Sequence, residues 1–178
     1  MNLNIPYMET DNKLLNDAYR IAAGDIVGNI VYYQNGLLTE EKPCMIAGLD
    51  YNTPWTRDTA INIWNALSIL SPEVSKNTLL AVLEEEEGNI YIGGQYWDSI
   101  IWMIGAREYC RFHKDDNFYR LAFEAGRNSV HRLEEDEFDE EDGLFRGPAV
   151  YGDGIAAYPD KYSKCPNQGS GILEWVDY

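Results

Sequence analysis

The sequence predicts an all-α fold built from helical hairpins in two layers, and three observations carry that expectation. Amphipathic helices alternate with helices that are apolar almost all round. Very short connections alternate with long ones. The long segments, about 37–54, 88–96 and 139–178, are rich in Gly, Pro and aromatic residues. An amphipathic helix buries one stripe and suits an outer layer, whereas a helix apolar on every side must be surrounded. Outer and inner helices in alternation describe a two-layered ring whose long loops open at one end, onto the N-termini of the inner helices.

Taken in order, the first element runs from Asp11 to Gln34. Leu15, Ala18, Tyr19, Ala22, Ile26, Ile30 and Tyr33 recur at spacings of three and four opposite Asn16, Asp17, Arg20 and Asn29, the pattern of a helix with one buried face. Asn35-Gly36 closes it in the manner of a left-handed cap. Pro43 and Gly48 argue against a regular element in the segment that follows. The stretch YNTPWTRDTAINIWNALSIL, Tyr51 to Leu70, then supplies a buried helix from about Trp55, whose polar groups gather at its N-terminal mouth. Ser71-Pro72 makes a short turn with Pro at the first position of an antiparallel helix, about Pro72 to Glu86, which ends in four glutamates and is read as exposed. GNIYIGGQY is too glycine-rich for a helix and suits a small hairpin. WDSIIWMIGAREYC is a second inner helix. Lys114-Asp115-Asp116 turns the chain into a fifth, amphipathic helix from about Asn117 to Glu137. From Asp139 onward the chain reads as one long functional loop, since a structureless run of that length is otherwise unusual.

At 178 residues with 45% hydrophobic content, a single domain spanning 1–178 is expected. The formal charge of −16, from 14 basic and 30 acidic residues, excludes nucleic acid and anionic membrane as natural partners and favours a neutral one such as a sugar. Three widely spaced cysteines offer neither a disulfide framework nor a zinc motif, so a reducing, cytoplasmic setting is expected. No run has the length and apolarity of a membrane span, and no basic, apolar leader opens the chain. No metal and no cofactor is expected: the acidic run Glu134 to Asp142 lacks calcium-loop spacing, and His113 and His131 lie on separate helices. The 13 Tyr and 5 Trp, many of them beside Gly, Asp or Gln in the loops, suit a saccharide, whose C–H faces stack on rings.

The hairpin rhythm from Asp11 to Glu137, Trp55-Thr56-Arg57-Asp58 before the first inner helix, Tyr96-Trp97-Asp98 before the second, and the loop LFRGPAVYGDGIAAYP carry a likeness to a known group. The sequence resembles the six-hairpin glycosidases, the helical toroids that include glucoamylases, trehalases and the family 63 glucosidases. The resemblance implies part of an (α/α)6 toroid, about two and a half hairpins of six, and a glycoside hydrolase acting by an inverting, two-carboxylate mechanism on an α-glucoside or similar small saccharide. In such enzymes the Arg and Asp of WTRD grip the terminal sugar. The late hairpins that carry the base of similar enzymes have no counterpart here, so weak or absent turnover is expected, with self-association through unburied helix faces.

Each candidate site residue has a plain structural reading beside the functional one. Arg57 and Asp58 either clamp vicinal hydroxyls or mark a helix N-terminus, with Asp58 near the positive dipole end and Arg57 paired to a loop glutamate. Gln95, Tyr96, Trp97 and Asp98 either form a second wall of the same sugar pocket, with Trp55, or make a cap with Asp98 as N-cap and Trp97 as lid. Asp153, in Tyr151-Gly152-Asp153-Gly154, is either a turn residue or the general acid that resemblance places in this loop, its carboxyl raised by surrounding rings. Glu174 is the second candidate for the acid. Arg146 and Tyr151 complete the expected substrate contacts, Arg146 alternatively being a surface ion-pair partner. A non-catalytic carbohydrate-binding or epimerase-like toroid is the alternative function, disfavoured because neither histidine lies near a loop mouth.

Overall fold

A computed structural model of the chain describes residues 5–48, 50–94, 97–150 and 172–177, with the side chains beyond 145 left aside. It divides into two compact units, Met1–Val130 and His131–Tyr178.

The first unit opens with α1, Lys13–Gly28, capped by the Asn12 side chain, which accepts from the Leu14 and Leu15 amides. The helix does not reach Gln34. It stops at Gly28, and the β-branched and aromatic run Ile30–Tyr33 becomes a strand, β1, paired antiparallel with β2, Lys42–Met45. Pro43 sits inside β2, where a two-stranded ribbon tolerates a missing amide. The remaining edge of β2 is taken up by the next helix over: Thr78 Oγ1 accepts from the Met45 amide at 3.0 Å, and Asn77 donates to the Pro43 carbonyl.

The organising helix begins at α2, Thr56–Asn62, passes through a π-helical segment, Ile63–Leu67, and ends in α3, Ser68–Leu70. Within it Asn65 donates to the Ile61 carbonyl at 2.8 Å, a side-chain partner for backbone at the wider turn. Ser71 caps α4, Pro72–Ala81, with Pro at the expected first position.

The four glutamates are not helical. The helix ends at Ala81, and Leu83–Glu86 pairs as β3 with β4, Asn89–Ile92. Glu87 and Gly88 both have positive φ, 52° and 80°, the two-residue turn that matches strand twist. Ending the helix before the glutamates keeps their charge off its negative C-terminal end. Those last carbonyls are met instead by the 35–37 turn: Leu37 N donates to Leu80 O, and Asn35 Nδ2 to Ala81 O. Gly36, at φ 59°, packs so closely that a Cβ would lie 2.6 Å from two carbonyl oxygens there.

α5, Asp98–His113, runs parallel to the α2–α3 helix. Arg57 meets Asp98, Ala60 meets Gly105, and the Ser68 carbonyl meets His113 along the pair. α4 runs antiparallel to both, with Trp102 donating to Leu79 O, and it is not exposed: Val74, Ser75, Thr78, Leu79 and Ala81 are buried. The core centres on Ile63, Leu67, Leu79, Leu83, Trp102 and Phe118. Lys114, at φ 47°, ends α5, and Asp115 caps α6, Asp116–Glu137, by accepting from Phe118 N at 3.0 Å.

In the second unit, the segment read as one long loop contains a sheet. β5, Phe138–Asp139, pairs with β6, Leu144–Val150, and β6 with β7, Ile172–Asp177, all antiparallel. Phe138 and Phe145 stack across the first pair at 5.1 Å.

The all-α expectation, and with it the (α/α)6 toroid of two and a half hairpins, is therefore corrected. Three small antiparallel sheets make the chain mixed α/β. The strands of the first unit are four residues each, too brief to show period two, and only Ile30–Tyr33 and Asn89–Ile92 carry β-branched and aromatic residues. Among the described residues no helix is long and apolar enough to cross a membrane.

Candidate functional site

The N-termini of α2 and α5 lie side by side, because the two helices run parallel and pack closely where Gly105 meets Ala60. Two positive dipole ends converge there and favour carboxylates. Asp98, in the first turn of α5, has a side chain 3% exposed, and its Oδ1 accepts from Arg57 Nε at 3.1 Å. The guanidinium lies over the Trp97 ring at 4.3 Å. Arg57 opposes the helix dipole, and the carboxylate from the neighbouring helix offsets that opposition.

Asp58 stands in the first turn of α2, near the positive dipole end, as its plain reading has it, whereas Asp98 is not an N-cap. Trp55 and Trp97 occupy the N-cap positions, both without a side-chain cap bond, and Asp98 is the first helical residue. Arg57 pairs with Asp98. Asp58 sits half-buried in the first turn of α2.

Beside the pair opens a cleft of about 320 Å³ lined by Asn35, Thr53–Thr56, Ala81–Glu84, Gly93, Gly94 and Asp98. Thr56 Oγ1 donates to the Gly93 carbonyl at 2.7 Å and ties the helix mouth to the end of the β3–β4 hairpin. Gly94, at φ 114°, cannot carry a side chain: a Cβ would lie 2.8 Å from Thr56 Oγ1 and 3.0 Å from Asp98 Oδ2. Exposed rings surround this end. Trp55 and Trp97 are well exposed, and Tyr51 meets Trp55 edge-on at 5.7 Å.

Of the residues expected to form the site, Trp55, Arg57, Asp58, Trp97 and Asp98 are gathered at one end of the helix pair. Gln95, Tyr96, Tyr151 and Asp153 lie outside the described residues, as do the side chains of Arg146 and Glu174. Glu84, Thr56 and the Gly93-Gly94 pair were not among the expected site residues. Two adjacent glycines directly before QYWD were the available signal for a close backbone approach. Glu84 gave none, since it reads as one of a run of solvated charges.

Among the described residues no group of three His, Cys, Asp or Glu is placed to hold a metal ion. His113 belongs to the opposite end of α5, against the Ser68 carbonyl. Two strongly shifted titrations lie away from the cleft: burial pushes the Cys44 thiol up to about 12, and burial, with Asp115 beside it, pushes the Tyr109 phenol up to about 12. No family model, no curated protein and no solved structure matches this chain.

Proposed function

We propose that the cleft binds a small saccharide and that the protein is a glycoside hydrolase of the two-carboxylate, inverting type acting on an α-glucoside. The observation that carries the binding half is the Arg57–Asp98 pair laid against Trp97 at the convergent helix N-termini. Asp98 and Thr56 offer acceptors for vicinal hydroxyls in the lining, and Arg57, which is not among the described lining residues, orients the Asp98 carboxylate. Trp55, in the lining, offers a ring to the C–H side of a sugar, and Trp97 and Tyr51 are exposed beside the same helix mouths. This arrangement binds and orients; it does not transfer the proton.

The acid is Asp153, by resemblance of its loop to those of six-hairpin glycosidases, with a second carboxylate activating water on the opposite face of the sugar. The position of His113 away from the cleft speaks against an epimerase-like role built on histidine.

Titration of intrinsic fluorescence with methyl α-glucoside and maltotriose is expected to show a saturable change that is lost in Trp55→Ala. A flat titration, or one unaltered by Trp55→Ala, removes the saccharide reading of the cleft. Turnover of an aryl α-glucoside is expected to be weak and to vanish in Asp153→Asn; turnover that survives that substitution removes Asp153 from the acid role.

A further inference from the structure

The cleft is lined by two carboxylates that are not alike. Asp98 is neutralised by Arg57, whereas Glu84 forms no ion pair among the described residues, and no Lys or Arg contributes to the described lining. Glu84 is exposed, and its side chain lies along the Gly93 backbone. Its Oε1 lies 2.5 Å from the point that a Cβ on Gly93 would occupy, and the Val82 carbonyl lies 2.8 Å from the same point. Glycine at 93 therefore makes room for the carboxylate against the cleft wall.

Charged edges keep a short hairpin from pairing with another chain, and that accounts for glutamates along β3 in general. It does not account for one whose carboxylate packs over Gly93. The neighbours Glu85, Glu86 and Glu87 and the net charge of −16 give the surroundings the same negative sign. Trp55, also in the lining, carries a ring to which cations are attracted. Hydroxyl groups need acceptors but no full charge; an ammonium group uses one.

Resting on the saccharide reading of the cleft, we infer that its ligand is an amino sugar, with Glu84 as the residue that selects the protonated amine. Neutral sugars of the same shape bind less tightly, and uronic acids are repelled.

Three ligands on one ring skeleton test this: methyl α-glucosaminide, methyl α-glucoside and methyl α-glucuronide, titrated into the full chain near pH 6.5. The amine is expected to bind about fivefold tighter than the neutral glucoside, the size of an exposed charge pair, and the uronide weaker still. Raising the salt concentration narrows the spread. In Glu84→Gln the preference for the amine collapses while affinity for the neutral glucoside stays within about twofold, since an amide keeps the shape and one acceptor. Equal affinity for amine and neutral sugar, or a preference that survives Glu84→Gln, overturns the inference and leaves the saccharide reading standing. Failure of all three ligands to bind overturns both.

Discussion

The Asp98 side chain is 3% exposed and that of Arg57 25%, so the two halves of their ion pair do not share its formation equally. Removing the cation leaves a carboxylate that has surrendered its water, whereas removing the carboxylate leaves a guanidinium that still reaches solvent and still rests on Trp97. Arg57→Met is expected to lower unfolding stability by about 3 kcal/mol, the scale for breaking a buried pair from one side. Asp98→Asn, which keeps an acceptor for Arg57, should cost about 1 kcal/mol. Urea melts of the two variants check the order, and a larger loss in Asp98→Asn contradicts the account of which side of the pair matters more. Thr56 belongs to the same scale. Its hydroxyl fixes the Gly93 carbonyl, so the wall of the cleft depends on a bond that no sequence period announces.

At the scale of elements, the site exists because two helices lie parallel and close enough for their first turns to meet. Gly105 sets that approach: a Cβ there would stand 2.8 Å from the Ala60 Cα and 3.0 Å from the Ala60 carbonyl oxygen. Backbone cannot yield as a side chain does, so Gly105→Ala is expected to cost about 2 kcal/mol despite alanine's better helix propensity. Gly24 in α1 is the control, since nothing lies within 4 Å of its added Cβ. Gly24→Ala should stabilise by about 0.5 to 1 kcal/mol. Thermal melts of the two variants shifting in the same direction would refute the close-packing account. The π-helical segment Ile63–Leu67 serves the same packing, keeping Ile63 and Leu67 fully buried while Trp64 faces outward.

Across the first unit, Asp115 joins three helices. It accepts from Lys76 Nζ of α4 at 2.6 Å, from the Tyr109 hydroxyl of α5 at 3.3 Å and from Phe118 N at the start of α6 at 3.0 Å. The Lys76 bond, then the Phe118 amide, hold its carboxyl below the ordinary 3.8. A folded value below the unfolded one means that this contribution is complete above the unfolded value. It is lost as pH falls through the folded one. Acid unfolding should therefore steepen below about pH 4, and Asp115→Asn should flatten that limb. The variant should also cost about 1 kcal/mol at neutral pH, a modest figure because Lys76 is partly exposed and solvent screens the pair. A stability profile between pH 6 and pH 3 with the same slope in both proteins would exclude Asp115 as the joint.

Much of the helical skeleton was legible because turn chemistry and periodicity are local physics: the Ser71-Pro72 turn, the start of α5 and the reversal at Lys114 to Asp116 are all written in short sequence windows. So was the pairing of aromatic residue and Asp at two helix mouths. The strands were not legible. Ile30–Tyr33 continues a helical spacing, and Leu83–Glu86 reads as a solvated helix end until partners at Lys42–Met45 and Asn89–Ile92 supply the hydrogen bonds that favour extended backbone. The sequence by itself determined which residues would stand at the mouths of the two apolar helices. Only the tertiary structure decided that Arg57 from one mouth answers Asp98 from the other, and that Glu84 reaches the same cleft. Both depend on parallel packing and on glycine contacts between positions far apart in the chain, where no local period carries information.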